Sequence, residues 1–150
     1  VYMVFVVPVV ALLALLLHPS LTLTLNKSLL FLLSLCLAWG LRFFWGYWLA
    51  LLAFWAARAN ALLALQDSLI FLLGGQVAPY ALLPLPLQTL SAWLPFRYMT
   101  GFPVEILTAR LSPGELTAGL VVQAGWLVVT LLIYALVWRT GLKHFSAVGG

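Results

Sequence analysis

The sequence has very few charged side chains. Asp, Glu, Lys and Arg together make up 7% of the 150 residues, whereas an average soluble domain contains about 25%. Hydrophobic residues account for 65%, and the mean hydropathy is +1.17. So few polar groups could not cover a surface exposed to water, and apolar runs close to the length of about 20 residues that spans a bilayer recur along the chain. The composition therefore predicts an all-α integral membrane protein.

Several kinds of reactive or binding site are also missing. The chain has one cysteine, Cys36, which excludes an internal disulfide. Its seven Lys and Arg residues are scattered, so no basic cluster could follow a phosphate backbone and no nucleic-acid partner is expected. No glycine-rich loop ends in Lys-Ser or Lys-Thr, which excludes ATP hydrolysis of that kind. His18 and His144 lie far apart, so neither a metal site of the usual spacing nor a cofactor is predicted.

The acidic residues do not form a catalytic group in the sequence. Asp67, Glu105 and Glu115 lie in three different predicted elements. A carboxylate pair would exist only if the fold brought two of them together. The sequence therefore identifies no catalytic residue.

Apolar segments predict a helical bundle with about four membrane elements. The segments lie at about 1–17, 33–57, 59–75 and 116–138. The third is shorter than the roughly 20 residues of a regular spanning helix, so it is predicted to be short or broken, and its crossing is left open. The chain begins at Val1, within an apolar run. We therefore interpret it as the C-terminal piece of a longer protein.

The segments are bounded by helix-breaking and capping residues. Residues 76–115 form a connector whose many prolines exclude a long regular helix in its first half. Ser112, Pro113 and Glu115 have the spacing of a helix start, with a serine cap, a proline in the first turn and a capping box. Residues 139–150 form a basic tail. Basic residues divide equally between the two sides of the bundle, so the positive-inside rule does not set its orientation.

Arg42 lies within a predicted span and is a candidate pathway or helix-packing residue. A charge at the centre of a membrane helix costs about 2.5–3.5 kcal/mol on insertion scales. Pairing inside the protein, lining a transport route and extension to the interface are the alternatives. Small residues recur every four positions around it, at Ala38, Gly46 and Ala50, and this spacing favours a contact with another helix.

Asp67 and Gln123 are the other candidate pathway or helix-packing residues. Asp67, next to Gln66, either pairs with a neighbouring helix or contacts a substrate or ion. Gln123 shares a helix face with Gly119 and Thr130. That arrangement favours hydrogen bonds between helices over a place in a pathway.

The connector contains the candidate outer-gate residues Arg97, Glu105 and Arg110. Pro103 is expected to divide the stretch, so that a short helix begins after it, and Arg97 then reaches Glu105 only if the chain folds back. One alternative is a structured cap at the mouth of a pathway. The other is an interfacial connector with its charges in water and its aromatic rings at the lipid headgroups. The rings concerned belong to Trp93, Phe96, Tyr98 and Phe102.

Five stretches carry a resemblance to a known family. They read LPFRYMTGFPVEIL, LSPGEL, GLKHFSAVGG, AFWAARANAL and GGQVAPYALLP. Together they resemble the C-terminal portion of bacterial type-2 ATP-binding-cassette (ABC) permeases, also called the ABC-2 family. The similarity extends over essentially the whole chain, and the Pro-Phe-Arg-Tyr-Met and Ser-Ala-Val-Gly pieces are its most distinctive parts.

The resemblance implies a six-helix permease of which this chain holds the last four membrane elements. It places the connector 76–115 at the outer surface and the tail 139–150 in the cytoplasm, within a bacterial inner membrane. The implied partners are a separate ABC ATPase subunit and a second permease subunit, and the implied activity is export. Because the first two helices would be missing, the piece alone is not expected to transport. The alternative function is a non-transporting membrane scaffold or assembly protein.

Overall fold

The computed structural model describes residues 24–52, 59–108 and 111–146, together with Leu12. Every regular element in these ranges is helical, which confirms the predicted fold class. The helices are α1 (Leu25–Leu51), α2 (Ala59–Leu73), α3 (Leu85–Trp93), α4 (Phe96–Thr108) and α5 (Pro113–Ser146), with a short 3-10 helix at Tyr80–Leu82. Apart from Leu12, the predicted span 1–17 lies outside the described residues.

The two long helices, α1 and α5, have the length and the surface of membrane spans. They contain 27 and 34 residues, which correspond to about 40 and 51 Å at 1.5 Å per residue, more than the roughly 30 Å hydrocarbon core. In their most apolar windows only 22% and 11% of the residues are buried. Helices at the core of a soluble protein would be mostly buried. These apolar surfaces therefore fit contact with lipid or with another membrane subunit.

Both long helices extend beyond the apolar segments seen in the sequence. Helix α1 begins at Leu25, upstream of the predicted span 33–57, and follows Thr24 in an extended conformation. Helix α5 continues past Trp138 into the predicted tail 139–150 and ends at Ser146. The start of α1 and the end of α5 contain polar residues. These residues do not end the helix, because the backbone hydrogen bonds continue through them.

The start of α5 is the predicted capping box. The backbone N–H and the hydroxyl of Ser112 both donate to Glu115 Oε2, at 2.8 and 2.7 Å, and the backbone N–H of Glu115 donates to the Ser112 hydroxyl at 3.3 Å. These bonds satisfy donors that the first turn of a helix leaves without partners. The prediction of this helix start is confirmed.

The end of α2 is fixed by the connector. Gly75 has φ +81°, which a glycine adopts without the steric cost of a side chain. The hydroxyl of Ser91 donates to the Leu73 carbonyl at 2.8 Å, and that of Thr100 donates to the Gly74 carbonyl at 2.7 Å. The last carbonyl of α2 and the carbonyl that follows it therefore find partners in α3 and α4.

Helix α4 occupies the centre of the hydrophobic core, although it belongs to the connector. It packs against α1, α2 and α5. Most of the buried core residues come from α4: Phe96, Tyr98, Met99, Phe102 and Ile106, joined by Leu41, Ile70 and Leu73. The ring of Phe102 lies directly against Gly119 of α5, where an added Cβ would overlap it. A small residue at this position lets the two helices approach closely.

Two expectations about the connector are wrong. Pro103 does not divide it, because α4 runs from Phe96 to Thr108 with Pro103 inside. The missing N–H of a proline is costly within a helix, but the flanking Phe102 and Ile106 are buried and their packing favours the continuous helix. The rings of Phe96, Tyr98 and Phe102 are also buried, so they do not lie at lipid headgroups. Of the four aromatic residues only Trp93 is exposed.

Candidate functional site

Arg97 and Glu105 form a bidentate ion pair within α4. Arg97 Nη2 lies 2.6 Å from Glu105 Oε2, and Arg97 Nε lies 3.2 Å from Glu105 Oε1. The side chains are only 13% and 15% exposed. Two turns of helix separate the residues, a rise of about 12 Å, which the long Arg and Glu side chains bridge together. The expectation that Arg97 needs the chain to fold back, and the alternative with these charges in water, are both wrong.

Tyr80 completes this cluster from the 3-10 turn. Its ring lies beneath the Arg97 guanidinium, with Cζ 3.6 Å from the ring centroid, a distance typical of a cation–π contact. Burial lowers the pKa of Arg97, but its hydrogen bonds with Glu105 and the negative charge of Glu105 outweigh burial, so the net shift of that pKa is upward. The guanidinium therefore stays charged, and it fastens the 3-10 turn to α4.

The cluster borders a cavity of about 810 Å³, here called the polar cavity. Its walls come from the stretch between α2 and α3, from α3 and α4, and from the first turns of α5. Polar side chains on the walls belong to Tyr80, Gln88, Arg97, Tyr98, Glu105, Thr108 and Glu115. A cavity of this size with a few convergent polar groups has the general form of a ligand site. The sequence analysis identified Arg97 and Glu105 as candidates but not Tyr80. The only feature that could have drawn attention to Tyr80 is that it is an aromatic residue in a proline-rich stretch.

Arg42 and Asp67 form a second, looser ion pair between α1 and α2. Arg42 Nη2 lies 3.6 Å from Asp67 Oδ1, and the side chains are 47% and 64% exposed. Gln66 Nε2 also donates to Asp67 Oδ1, at 3.4 Å. Ala38, one turn before Arg42, is buried. The pair thus lies at the edge of the contact between α1 and α2, and about half of the surface of its two side chains is exposed at the surface of the subunit.

Gln123 joins three helices in the interior. Its Nε2 donates to the carbonyls of Ser34 and Tyr98, at 3.0 and 2.9 Å, and its Oε1 accepts a bond from the Ser34 hydroxyl at 3.0 Å. Gln123 and Ser34 are fully buried. Thr130 is buried on the same helix but its hydroxyl has no hydrogen-bond partner among the described residues. This geometry favours helix packing over a pathway role for Gln123.

The candidate residues therefore form separate groups. Arg97 and Glu105 come together with Tyr80, and Arg42 comes together with Asp67, while Gln123 lies at the junction of α1, α4 and α5. Arg110 lies outside the described residues.

A family model described as ABC-2 family transporter protein matches residues 2–149, nearly the entire chain. No curated protein and no solved structure gives a significant match to the sequence.

Proposed function

Because the chain belongs to the family of ABC-2 family transporter proteins, which supply the membrane component of ABC transport, we propose that it acts as a permease subunit of an export system. Two such subunits form the substrate pathway between them, and a separate ATPase subunit drives them. The site of action is a bacterial inner membrane. The family match over residues 2–149 is the observation that carries this proposal.

Two features of the fold support a permease. Helices α1 and α5 are long and apolar, and little of their surface is buried within the chain. Both ion pairs link separate elements: Arg42 and Asp67 link α1 to α2, and the Arg97 cluster links the 3-10 turn to α4. We assign the first pair to the pathway between subunits and the second to an outer gate. Gln123 holds the helices of one subunit together.

In the proposed mechanism, ATP binding closes two ATPase subunits against each other. The closure moves the two permeases as rigid bodies, so that access to the pathway alternates between the two sides of the membrane. The buried core of α4 with α1 and α5 suits a body that moves as one unit, because packed interiors resist continuous deformation.

Co-purification tests this proposal. The full-length protein, expressed with candidate ATPase subunits, should recover one of them in a stable complex, and ATP hydrolysis by that complex in proteoliposomes should respond to transported compounds. A variant in which Arg42 is replaced with Leu, checked for normal expression, should assemble but lose stimulation. Consistent failure to recruit any ATPase would refute the permease assignment and favour the scaffold function.

A further inference from the structure

The polar cavity adjoins an apolar groove. The groove has a volume of about 450 Å³ and runs between α3 and α5. It is lined by Ala92 and Trp93 of α3 and by Val122, Gly125, Trp126 and Val129 of α5. Val122 lines the groove and the polar cavity alike. One end of the combined space is therefore charged and the other end is apolar.

We propose that this space binds an amphipathic molecule with a zwitterionic head. The head occupies the polar cavity and presents an anionic acceptor such as a phosphate to Arg97 and an amine to Glu115. The apolar chain lies in the groove along α5. The site lies within one subunit, and so it differs from the pathway proposed between two subunits.

The groove suits an apolar chain because its polar atoms are already satisfied. The indole N–H of Trp126 donates to the Trp93 carbonyl at 3.1 Å, which leaves ring surfaces and aliphatic groups as walls. A Cβ placed on Gly125 would meet no atom within 4 Å, so this glycine keeps the groove open. Trp93 is 77% exposed, and the groove can therefore be entered from the surrounding bilayer. Such a surface gains free energy when an alkyl chain covers it.

The polar cavity offers one donor edge and one acceptor. Arg97 uses Nε and Nη2 to bind Glu105, and its guanidinium also borders the polar cavity. Glu115 uses Oε2 to bind Ser112, and its Oε1 has no hydrogen-bond partner within the described part of the chain. Arg97, Glu105 and Glu115 all line the cavity, so its described walls carry one positive and two negative charges. A head that carries both a phosphate and an amine matches this arrangement.

The first test fills the groove. Binding of lysophosphatidylethanolamine to the purified full-length protein in detergent is measured by native mass spectrometry, with no ATPase present. Gly125→Leu should weaken binding by about tenfold or more, because the new side chain takes the place of several methylene groups. Gly114→Leu is the matched control, since its Cβ also meets open space and it lines neither cavity; its binding should stay within about twofold of the wild type. Equal affinity of the Gly125 variant and the wild type would overturn the proposal.

The second test changes the charge at the head. Glu115→Gln keeps a side chain that supports the capping box but removes the negative charge. It should reduce the preference for lysophosphatidylethanolamine over lysophosphatidylglycerol by about fivefold. Thermal unfolding controls for an intact fold. An unchanged preference in a folded variant would overturn the assignment of the amine to Glu115.

A third measurement identifies the source of the amphiphile. In the complex reconstituted with its ATPase, loss of bound lysophosphatidylethanolamine on ATP addition marks it as cargo, whereas constant occupancy marks a resident lipid. Both outcomes support the site. Because the first two tests use the protein alone, their failure would leave the permease function untouched.

Discussion

The Arg97–Glu105 and Arg42–Asp67 pairs contain the same chemical groups but differ in distance and surroundings. The first is bidentate, mostly buried and shielded by Tyr80 on one face, while the second is a single contact at 3.6 Å with both side chains about half exposed. A buried pair is costly to break because one charge is then left without water or partner. An exposed pair contributes little to stability. We therefore expect the loss of Arg97–Glu105 to affect the fold as well as the proposed gate, and the loss of Arg42–Asp67 to affect function with little effect on the fold.

The largest expected effect is the loss of Glu105. Glu105→Ala should lower the free energy of unfolding by about 2–3 kcal/mol, because Arg97, whose side chain is only 13% exposed, then lacks a counter-charge. Unfolding in mixed micelles, followed by tryptophan fluorescence, measures this change. The double variant with Arg97→Met and Glu105→Leu should recover most of the loss, since no charge is left buried. If the single variant proved as stable as the wild type, the contrast between the two pairs would be lost.

A neutral polar residue that is buried more deeply than this ion pair provides the second comparison. Gln123→Leu should cost about 2 kcal/mol, because the Ser34 hydroxyl and two backbone carbonyls lose their partner. Ser34→Ala removes one bond only and should cost about 1 kcal/mol. The same micelle unfolding experiment ranks both variants. A Gln123 variant with wild-type stability but no transport would instead indicate a pathway role.

Removing the ring beneath Arg97 should have a smaller effect. Tyr80→Ala should lower the free energy of unfolding by about 1 kcal/mol through loss of the cation–π contact. Tyr80→Phe keeps the ring and should behave like the wild type, which separates stacking from the hydroxyl group. Limited proteolysis of the segment before α3 gives a second readout, since the 3-10 turn should become more accessible in Tyr80→Ala alone.

The smallest change in stability is expected for the exposed pair. Arg42→Gln and Asp67→Asn should each alter the free energy of unfolding by less than about 1 kcal/mol. Stimulated ATP hydrolysis by the complete complex should nevertheless fall in both variants, as the proposed pathway role requires. Full activity in both would remove Arg42 and Asp67 from the pathway. A large loss of stability would show instead that the pair is structural.

Local features of the chain were readable from the sequence. The low charge and the apolar segments identified a helical membrane protein, and the Ser112–Glu115 spacing gave the start of α5, because a capping box involves only neighbours in the chain. The resemblance carried by LPFRYMTGFPVEIL is confirmed by the family match. The continuation of α4 through Pro103 was missed, because local propensity argues against it and only packing against other helices offsets that cost.

Among the site residues, the sequence marked the charges but not their partners. Arg97 and Glu105 stand out in a chain with so few charges, yet their pairing depends on the continuous helix that was not expected. Arg42 and Asp67 belong to different helices, so their approach depends on how α1 and α2 meet. Tyr80 carried no distinguishing signal, since it acts only because the 3-10 turn brings its ring beneath Arg97.

Composition and local spacing thus determined that this is a membrane protein, its helical class and the start of its last helix. These properties depend on hydrophobicity and on short-range hydrogen bonds, which the order of residues defines directly. Only the tertiary structure decided that α4 lies in the core, that one ion pair is mostly buried while the other is half exposed, and that a charged cavity and an apolar groove share a wall at Val122. Each of these depends on which helix faces meet, and that is set by the packing of residues far apart in the chain.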